Sequence, residues 1–173
     1  MKMLTRRILT AYLISALAGV LLHFVYDFFP NLFTAVLSPV RESLWEHVKL
    51  IYWPYLVAVL ILTRGGEKGS RAPWLMSLLV VCVTMLAVAY CYHFLLGGES
   101  VAFDIGLYAV MMGAGFLLPR LFAGLAGKGW WNEGLWVMVA LLGGAILLFS
   151  FLPPETPLFT DLSAKRTWMS IPF

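Results

Sequence analysis

Charged side chains are scarce in this 173-residue chain: Asp, Glu, Lys and Arg together make up 12% of it, about half the share found in an average soluble domain. So little charge excludes intrinsic disorder and a charged coiled coil. The net charge of +3 gives no basic surface, so we expect no nucleic-acid partner. Cysteine is scarce too, and Cys82 and Cys91 are nine residues apart on one predicted helix, which excludes a disulfide or redox pair.

Apolar side chains dominate instead, at 61% of the residues. A helix needs about 20 apolar residues to cross the hydrocarbon core of a bilayer. Five stretches are long enough: Ile8–Phe29, Pro39–Leu62, Pro73–Leu96, Val101–Leu121 and Asn132–Leu152. The sequence therefore predicts an all-α, polytopic bundle of five transmembrane helices, a single domain over residues 1–173 whose last part, 153–173, is a tail.

The N-terminal region has some features of a secretory signal. Lys2, Arg6 and Arg7 precede an apolar run that contains Ala-Leu-Ala at 16–18, a small-residue pattern typical of a cleavage site. The run continues to Phe29, which is too long for a signal core. We therefore expect an uncleaved first helix.

Basic residues are distributed unequally between the two ends of the predicted helices. Eight lie at the end where the chain begins: Lys2, Arg6, Arg7, Arg64, Lys68, Arg71, Arg120 and Lys128. Four lie at the opposite end: Arg41, Lys49, Lys165 and Arg166. Because cytoplasmic loops carry an excess of Lys and Arg, we predict a multi-pass protein of the bacterial inner membrane, with its N-terminus in the cytoplasm and its tail outside.

The second predicted helix has a clear start signal. Ser38 is expected to cap it and Pro39 suits its first turn, while Pro54 is expected to kink it in mid-span. In the first helix, Ser15, Gly19, His23 and Asp27 follow one another at four-residue steps and so share one face. We expect this face to pack against other helices.

A small-xxx-small spacing also occurs in the last predicted helix, at Ala140 and Gly144. Such spacing lets membrane helices approach closely, so we expect a helix contact there.

Apart from residues at the cytoplasmic border such as Arg120 and Glu133, the ionisable side chains within the spans lie near the predicted outer ends of the helices. Counting 1.5 Å per residue, each falls within about 15 Å of the outer boundary. They are His23, Asp27, Glu42, Glu46, His47, Lys49, His93 and Asp104. Ionisable groups in a membrane are costly, so this one-sided distribution indicates a polar site that opens away from the cytoplasm.

Imidazole and carboxylate together are the ligand set of zinc and of non-haem iron. We therefore predict a zinc or iron site, and its expected ligands are His23, Asp27, His47 and His93. Glu42 and Glu46, predicted on one helix face, are the expected catalytic bases, with Ser43, Lys49 and Asp104 as supporting residues. A metal held there could activate water for hydrolysis.

A structural interpretation of the same residues is also open. His23 and Asp27 could form a hydrogen-bonded pair that ties helices together, and Glu46 and Lys49 an interfacial ion pair. The chain has no His-Glu-x-x-His and no Glu-x-x-His spacing, so no known metal motif decides between the two interpretations.

Two segments carry a family resemblance. His23-Phe-Val-Tyr-Asp27 is followed by Ser-Pro-Val-Arg-Glu-Ser-Leu-Trp-Glu-His-Val-Lys at 38–49, and later by Pro-Leu-Phe-Thr-Asp at 157–161. With Pro54, this pattern resembles a family of small bacterial membrane proteins known as a domain of unknown function. The resemblance covers most of the chain and implies a membrane protein, without naming a reaction.

The leading hypothesis is a metal-dependent hydrolase that acts on a lipid or a small extracytoplasmic substrate. Three alternatives stay open: a transporter of a proton, an ion or a small solute; a haem-binding redox protein with His23 and His93 as axial ligands; and a non-catalytic membrane subunit. The expected partner is the lipid bilayer, and a homo-oligomer is left open. The tail could fold over the cluster as a lid, with Asp161 as a further ligand, or stay loose.

Overall fold

The computed structural model of the chain describes residues 2–66, 69–126 and 129–163. Within these ranges the fold is all-α, with no strand. Five of the helices are long and apolar enough to cross a membrane: Arg6–Phe28, Leu44–Leu62, Ala72–Leu95, Val101–Arg120 and Trp130–Phe151. The predicted number of spans and the all-α class are therefore confirmed.

The helices are named in chain order. They are α1 (Lys2–Phe28), α2 (Leu32–Leu37), α3 (Leu44–Leu62), α4 (Ala72–Tyr90), α5 (Val101–Leu117) and α6 (Gly129–Phe151). A π-helical turn, Cys91–Leu95, extends α4. Short 3-10 turns occupy Leu118–Arg120, Ala123–Leu125 and Pro157–Phe159.

The start of the second span differs from the prediction. Helix α3 begins at Leu44, and the residue that caps it is Ser43, whose hydroxyl accepts a hydrogen bond from the Glu46 amide. Ser38 instead ends the short helix α2, and its hydroxyl donates to the Leu22 carbonyl of α1 and accepts from the Tyr26 amide. The Ser-Pro pair is therefore a stop signal for one helix rather than a start signal for the next.

Helix α2 was not predicted. Asn31 caps it with a reciprocal box, in which its side chain accepts from the Thr34 amide and the Thr34 hydroxyl accepts from the Asn31 amide. At six residues, it is far too short for the apolar-run criterion to find. Residues 39–43 then form an irregular segment between α2 and α3, and this segment carries Glu42.

The core is built around α3, which packs against all the other helices. Its apolar side chains Val48, Ile51 and Val59 are completely buried. Two of its tyrosines reach neighbouring backbones: the Tyr52 hydroxyl donates to the Val139 carbonyl of α6, and the Tyr55 hydroxyl to the Gly115 carbonyl of α5. Because a polar group in the bilayer needs an internal partner, these bonds fix α5 and α6 against the central helix.

Helices α1 and α3 approach closely at Gly19. A Cβ atom at this position would lie 2.5 Å from the Leu50 carbonyl oxygen and would also clash with the Tyr108 hydroxyl. Pro54 lies inside α3 as expected, and without an N–H it leaves the Leu50 carbonyl without its usual helical donor. The packed face predicted for α1 is thus confirmed at Gly19 and at Ser15, whose hydroxyl donates to the Pro54 carbonyl.

The same expectation is wrong at two other positions. Asp27, on the predicted packed face, is exposed, because α1 ends one residue later. On α6, a Cβ atom at Gly144 would meet nothing within 4 Å, so the Ala140–Gly144 spacing makes no helix contact. The close contact lies one residue earlier, since a Cβ atom at Gly143 would clash with the Tyr52 hydroxyl.

Candidate metal centre

Polar side chains gather at one end of the bundle, which we call the histidine end. Helices α1 and α6 and the π turn finish there, and α3 and α5 begin there. This topology brings the three histidines of the sequence to the same end of the bundle.

Three residues form a compact group that we call the His–Glu–His trio: His23, Glu42 and His47. Glu42 lies between the rings, with Oε1 3.8 Å from His23 Nε2 and Oε2 3.4 Å from His47 Nε2. The ring centroids of the two histidines are 5.3 Å apart. One ligand atom from each residue lies within 4.8 Å of the other two, which is a spacing that could hold a metal ion.

These separations suit a small divalent ion. Ligand atoms bonded at about 2.0–2.2 Å in tetrahedral geometry are about 3.3–3.6 Å apart. The Glu42–His47 separation falls in this range, and the Glu42–His23 separation is slightly longer. Small side-chain rotations would therefore bring all three ligands to bonding distance.

The two imidazoles of the trio differ in their surroundings. His47 Nδ1 lies 2.7 Å from the Ser43 carbonyl oxygen, and Nε2 faces Glu42. Because metal ligands must be deprotonated, a metal bound at Nε2 would displace the proton that His47 and Glu42 share. His23 Nδ1 is buried and has no hydrogen-bond partner within the part of the chain that the structure describes. Such an unsatisfied buried nitrogen is uncommon, but the His23 nitrogen that faces Glu42 is Nε2, so Nδ1 is not the atom that would bind the metal.

His93 and Asp104 form a second group, the His93–Asp104 pair. His93 Nε2 lies 2.8 Å from Asp104 Oδ1, and His93 Nδ1 lies 2.8 Å from the Gly98 carbonyl oxygen. Carbonyl and carboxylate oxygens both accept, so the two bonds together require two protons shared by His93 and Asp104. The pair is therefore arranged to hold a proton rather than a metal ion.

Both groups line the same cavity, which has a volume of about 460 Å³. Its polar side chains are those of the trio and of the His93–Asp104 pair, together with Tyr108 and Ser163. The rest of the lining is apolar and comes from α1, α3, α4, α5 and the tail. A small polar site thus adjoins a larger apolar space, as in many ligand-binding pockets.

Glu46 and Lys49 lie outside this cavity and form a buried ion pair, with Lys49 Nζ 2.6 Å from Glu46 Oε2. Lys49 also donates to the carbonyls of Ala35 and Ser38, which end α2. Glu46 also accepts from the Val40 amide and the Ser150 hydroxyl. Both residues are thus fully bonded in a network that fixes α2 and α6 to α3.

The predicted shared face of Glu42 and Glu46 is wrong, because Glu42 precedes the first residue of α3 and helical spacing does not apply to it. Of the predicted metal ligands, the structure brings His23 and His47 together with Glu42. His93 lines the same cavity but is bonded to Asp104. Asp27 is exposed and does not line the cavity.

The tail folds back over the histidine end. The Leu162 amide donates to the Glu42 carbonyl at 2.9 Å, and Leu162 and Ser163 line the cavity. Phe159 packs against Trp45. Asp161 accepts from Ser163, and it is not among the residues that line the cavity. The lid arrangement is therefore the one observed; Lys165 and Arg166, like Lys68 and Lys128, lie outside the described residues.

Sequence reasoning missed several features of the site. The His93–Asp104 bond depends on the π turn, and Leu162 reaches the cavity through an irregular tail; neither has a sequence signal that would place it. Tyr108 was also missed, although its hydroxyl closes the cavity by donating to the Ala16 carbonyl.

Comparison with known proteins gives one match. The model of a family described as a family of unknown function (DUF6512) matches residues 1–168. No curated protein and no solved structure shows significant similarity to the chain.

Proposed function

The chain belongs to this family of unknown function, DUF6512, and because membership brings no activity with it, we propose a function from the site: a membrane-embedded, metal-dependent hydrolase. The observation that carries the proposal is the His–Glu–His trio at the wall of the cavity. Two histidines and one carboxylate are the protein ligands of catalytic zinc sites and of non-haem iron sites, both of which keep coordination positions open.

The chemistry follows from what lines the cavity. A zinc ion bound by the trio would lower the pKa of a coordinated water to about 7 and polarise a substrate oxygen. Hydrolysis adds the hydroxyl of water to an acyl or phosphoryl centre, breaks the bond to the leaving oxygen, and delivers a proton to that oxygen. The His93–Asp104 pair holds a proton in the same cavity, so we assign it the role of general acid.

The sequence suggested Glu42 and Glu46 as catalytic bases. In this proposal Glu42 is a metal ligand instead, and Glu46 takes no part in the chemistry. Glu42 lies between the two imidazoles, where it serves as a metal ligand better than as a base. Glu46 has hydrogen bonds to both oxygens and is 3% exposed, so it has neither a free lone pair directed at the cavity nor access to water.

We infer that the site faces outward from a bacterial inner membrane. The excess of Lys and Arg at the opposite end of the bundle supports this orientation. A transporter is less well supported. Apart from residues at the opposite ends of the spans, such as Arg120 and Glu133, the ionisable groups lie at the histidine end, and Tyr108 bonds to α1 beneath them. Haem ligation is also less well supported, because both ring nitrogens of His93 are bonded.

Purified protein in detergent tests the proposal with fluorogenic carboxylic-ester and phosphodiester substrates. We expect turnover that a chelator abolishes and zinc or ferrous iron restores. His93→Asn should lose turnover and keep its metal, whereas His47→Ala should lose both. Asp27→Asn is the matched control, since Asp27 lies outside the cavity, and should keep both. Turnover that survives chelation or survives His47→Ala would contradict the proposal.

A further inference from the structure

One wall of the cavity is formed by side chains that also reach the outer surface of the bundle. On α1 these are Val20 and Phe24, which are 47% and 49% exposed; on α5 they are Val101 and Ile105, which are 53% and 64% exposed. All four line the cavity and all are apolar. We call the gap between these two helices the lateral opening. Because α1 and α5 are membrane-spanning helices, the lateral opening faces acyl chains.

The other sides of the cavity are more restricted, although the Glu42 side chain at the histidine end is 45% exposed. The tail covers the histidine end through the bond from the Leu162 amide to the Glu42 carbonyl. In the opposite direction, the Tyr108 hydroxyl donates to the Ala16 carbonyl, and Gly19 lies directly against Leu50. A substrate that came from water would have to pass beside the tail, whereas one that came from the bilayer would pass between the apolar side chains of α1 and α5.

The polarity of the lining changes along the helix axes. Asp104 and His93 lie at the histidine end, and Leu107, Leu50 and Met85 lie deeper. Between Val101 and Tyr108, α5 rises about 10 Å. The cavity is therefore matched to an amphipathic molecule whose polar group lies at the trio and whose hydrocarbon part points toward the middle of the bilayer.

We propose that the occupant of this cavity is a membrane lipid that enters sideways through the lateral opening, so that its ester or phosphoester bond lies at the His–Glu–His trio. This inference rests on the proposed function for the chemistry at the trio, but the access route and the class of ligand depend on the cavity alone. Entry would not expose the acyl chains of the lipid to water, because they would move from one apolar environment to another.

Photochemical labelling of the full chain in vesicles of phosphatidylethanolamine and phosphatidylglycerol tests the route. The probe is a phospholipid with a diazirine part-way along one acyl chain, about 10 Å from the ester bond to match the height of the cavity wall, and labelled positions are found by mass spectrometry of peptides. Met85 and Leu50 are the informative positions, because they line the cavity and are only 6% and 5% exposed. Lipid in the surrounding bilayer cannot reach them, so we expect adducts at both residues.

A matched pair of double variants separates the opening from the rest of the surface. Val20→Trp with Ile105→Trp fills the lateral opening, and we expect adducts at Met85 to fall severalfold. Leu13→Trp with Val110→Trp adds the same bulk to exposed positions of α1 and α5 that do not line the cavity. This control should label Met85 as the wild type does. Circular dichroism and metal content, measured on the same preparations, show whether each variant is folded.

Two results would overturn the inference: wild-type adducts confined to outward-facing residues, or equal labelling of Met85 in both double variants. A further contrary result concerns a short-chain, water-soluble diazirine glycerophosphate. If this probe labelled Met85 equally in both double variants, the ligand would enter from water. Failure of the proposed function looks different, because it would give metal-free protein that still labels Met85 through the lateral opening.

Discussion

The ion pair between Glu46 and Lys49 explains why two charges stand in an apolar core. Lys49 is completely buried and Glu46 nearly so, and three carbonyl or carboxylate oxygens accept bonds from the Lys49 ammonium group. Removal of one partner from a buried pair leaves an uncompensated charge, at a cost of about 3–5 kcal/mol, whereas replacement of both can be nearly neutral. The pair is thus a structural element, distinct from the cavity chemistry.

We expect Lys49→Met to destabilise the protein by about 3–5 kcal/mol and the double variant Glu46→Gln, Lys49→Met to recover a large part of that loss. Chemical unfolding in detergent micelles measures both. Metal content per folded chain should be unchanged in the double variant. If that variant kept its fold but lost metal or turnover, the role of Glu46 as a catalytic base, as the sequence suggested, would be restored.

The residue types of the site could be predicted from the sequence, but their pairing could not. The depth argument selected His23, His47 and Glu42 because each lies near the same end of an apolar run. It paired His23 with Asp27 by helical spacing, whereas the partner in space is Glu42, in a segment that is not helical. A side chain on an irregular segment has no periodicity from which its direction can be read.

Close packing of α1 on α3 depends on the absence of a side chain at Gly19. A Cβ atom there would lie 2.5 Å from the Leu50 oxygen, a carbonyl that cannot move far because it belongs to the central helix. On the outward side of α5, a Cβ atom at Gly106 would meet nothing within 4 Å. The two glycines therefore provide a direct comparison between a packed and an unpacked helix face.

Gly19→Ala should destabilise the fold by about 1–3 kcal/mol, because overpacking forces helices apart, and it should displace His23 from the trio. Gly106→Ala should be neutral or slightly stabilising, since alanine is the better helix former. Thermal unfolding in the same detergent compares the two. Equal stability of the two variants would show that α1 does not pack on α3 at Gly19.

The spans themselves could be read from the sequence to within a few residues, because the thickness of a bilayer sets the length of an apolar run. The exception is the start of the second span. The stretch that begins at Pro39 was assigned to the second span because Ser38 and Pro39 resemble a cap and a first turn, whereas residues 39–43 are irregular and α3 begins at Leu44. Asn31 and Thr34, with their capping-box spacing, were the available signal for α2.

The whole molecule holds its cavity at one end of the bundle, where the tail forms a partial roof over it. Phe159 attaches this roof by contacts with Trp45 and Phe149. The amide of Leu162 then reaches the Glu42 carbonyl, next to the trio. The Glu42 side chain is still 45% exposed, so this roof restricts the access of water to the site without excluding it.

We expect Phe159→Ala to loosen the roof, so that the Leu162 amide exchanges with deuterium severalfold faster than in the wild type. Phe29→Ala is the control, because Phe29 is 67% exposed and lies apart from the tail contacts. Exchange at the Leu162 amide that is unaffected by Phe159→Ala would mean that these aromatic contacts do not hold the tail in place.

The central claim is that His23, Glu42 and His47 together hold a metal ion, and element analysis of purified protein tests it most directly. The account predicts stoichiometric zinc or iron in the wild type, less metal as the pH falls because protons compete for the imidazoles, and loss of metal in His23→Ala, Glu42→Ala and His47→Ala. Asp27→Asn and His93→Asn should keep it. A folded wild type that binds no metal when zinc or ferrous iron is supplied would contradict the account.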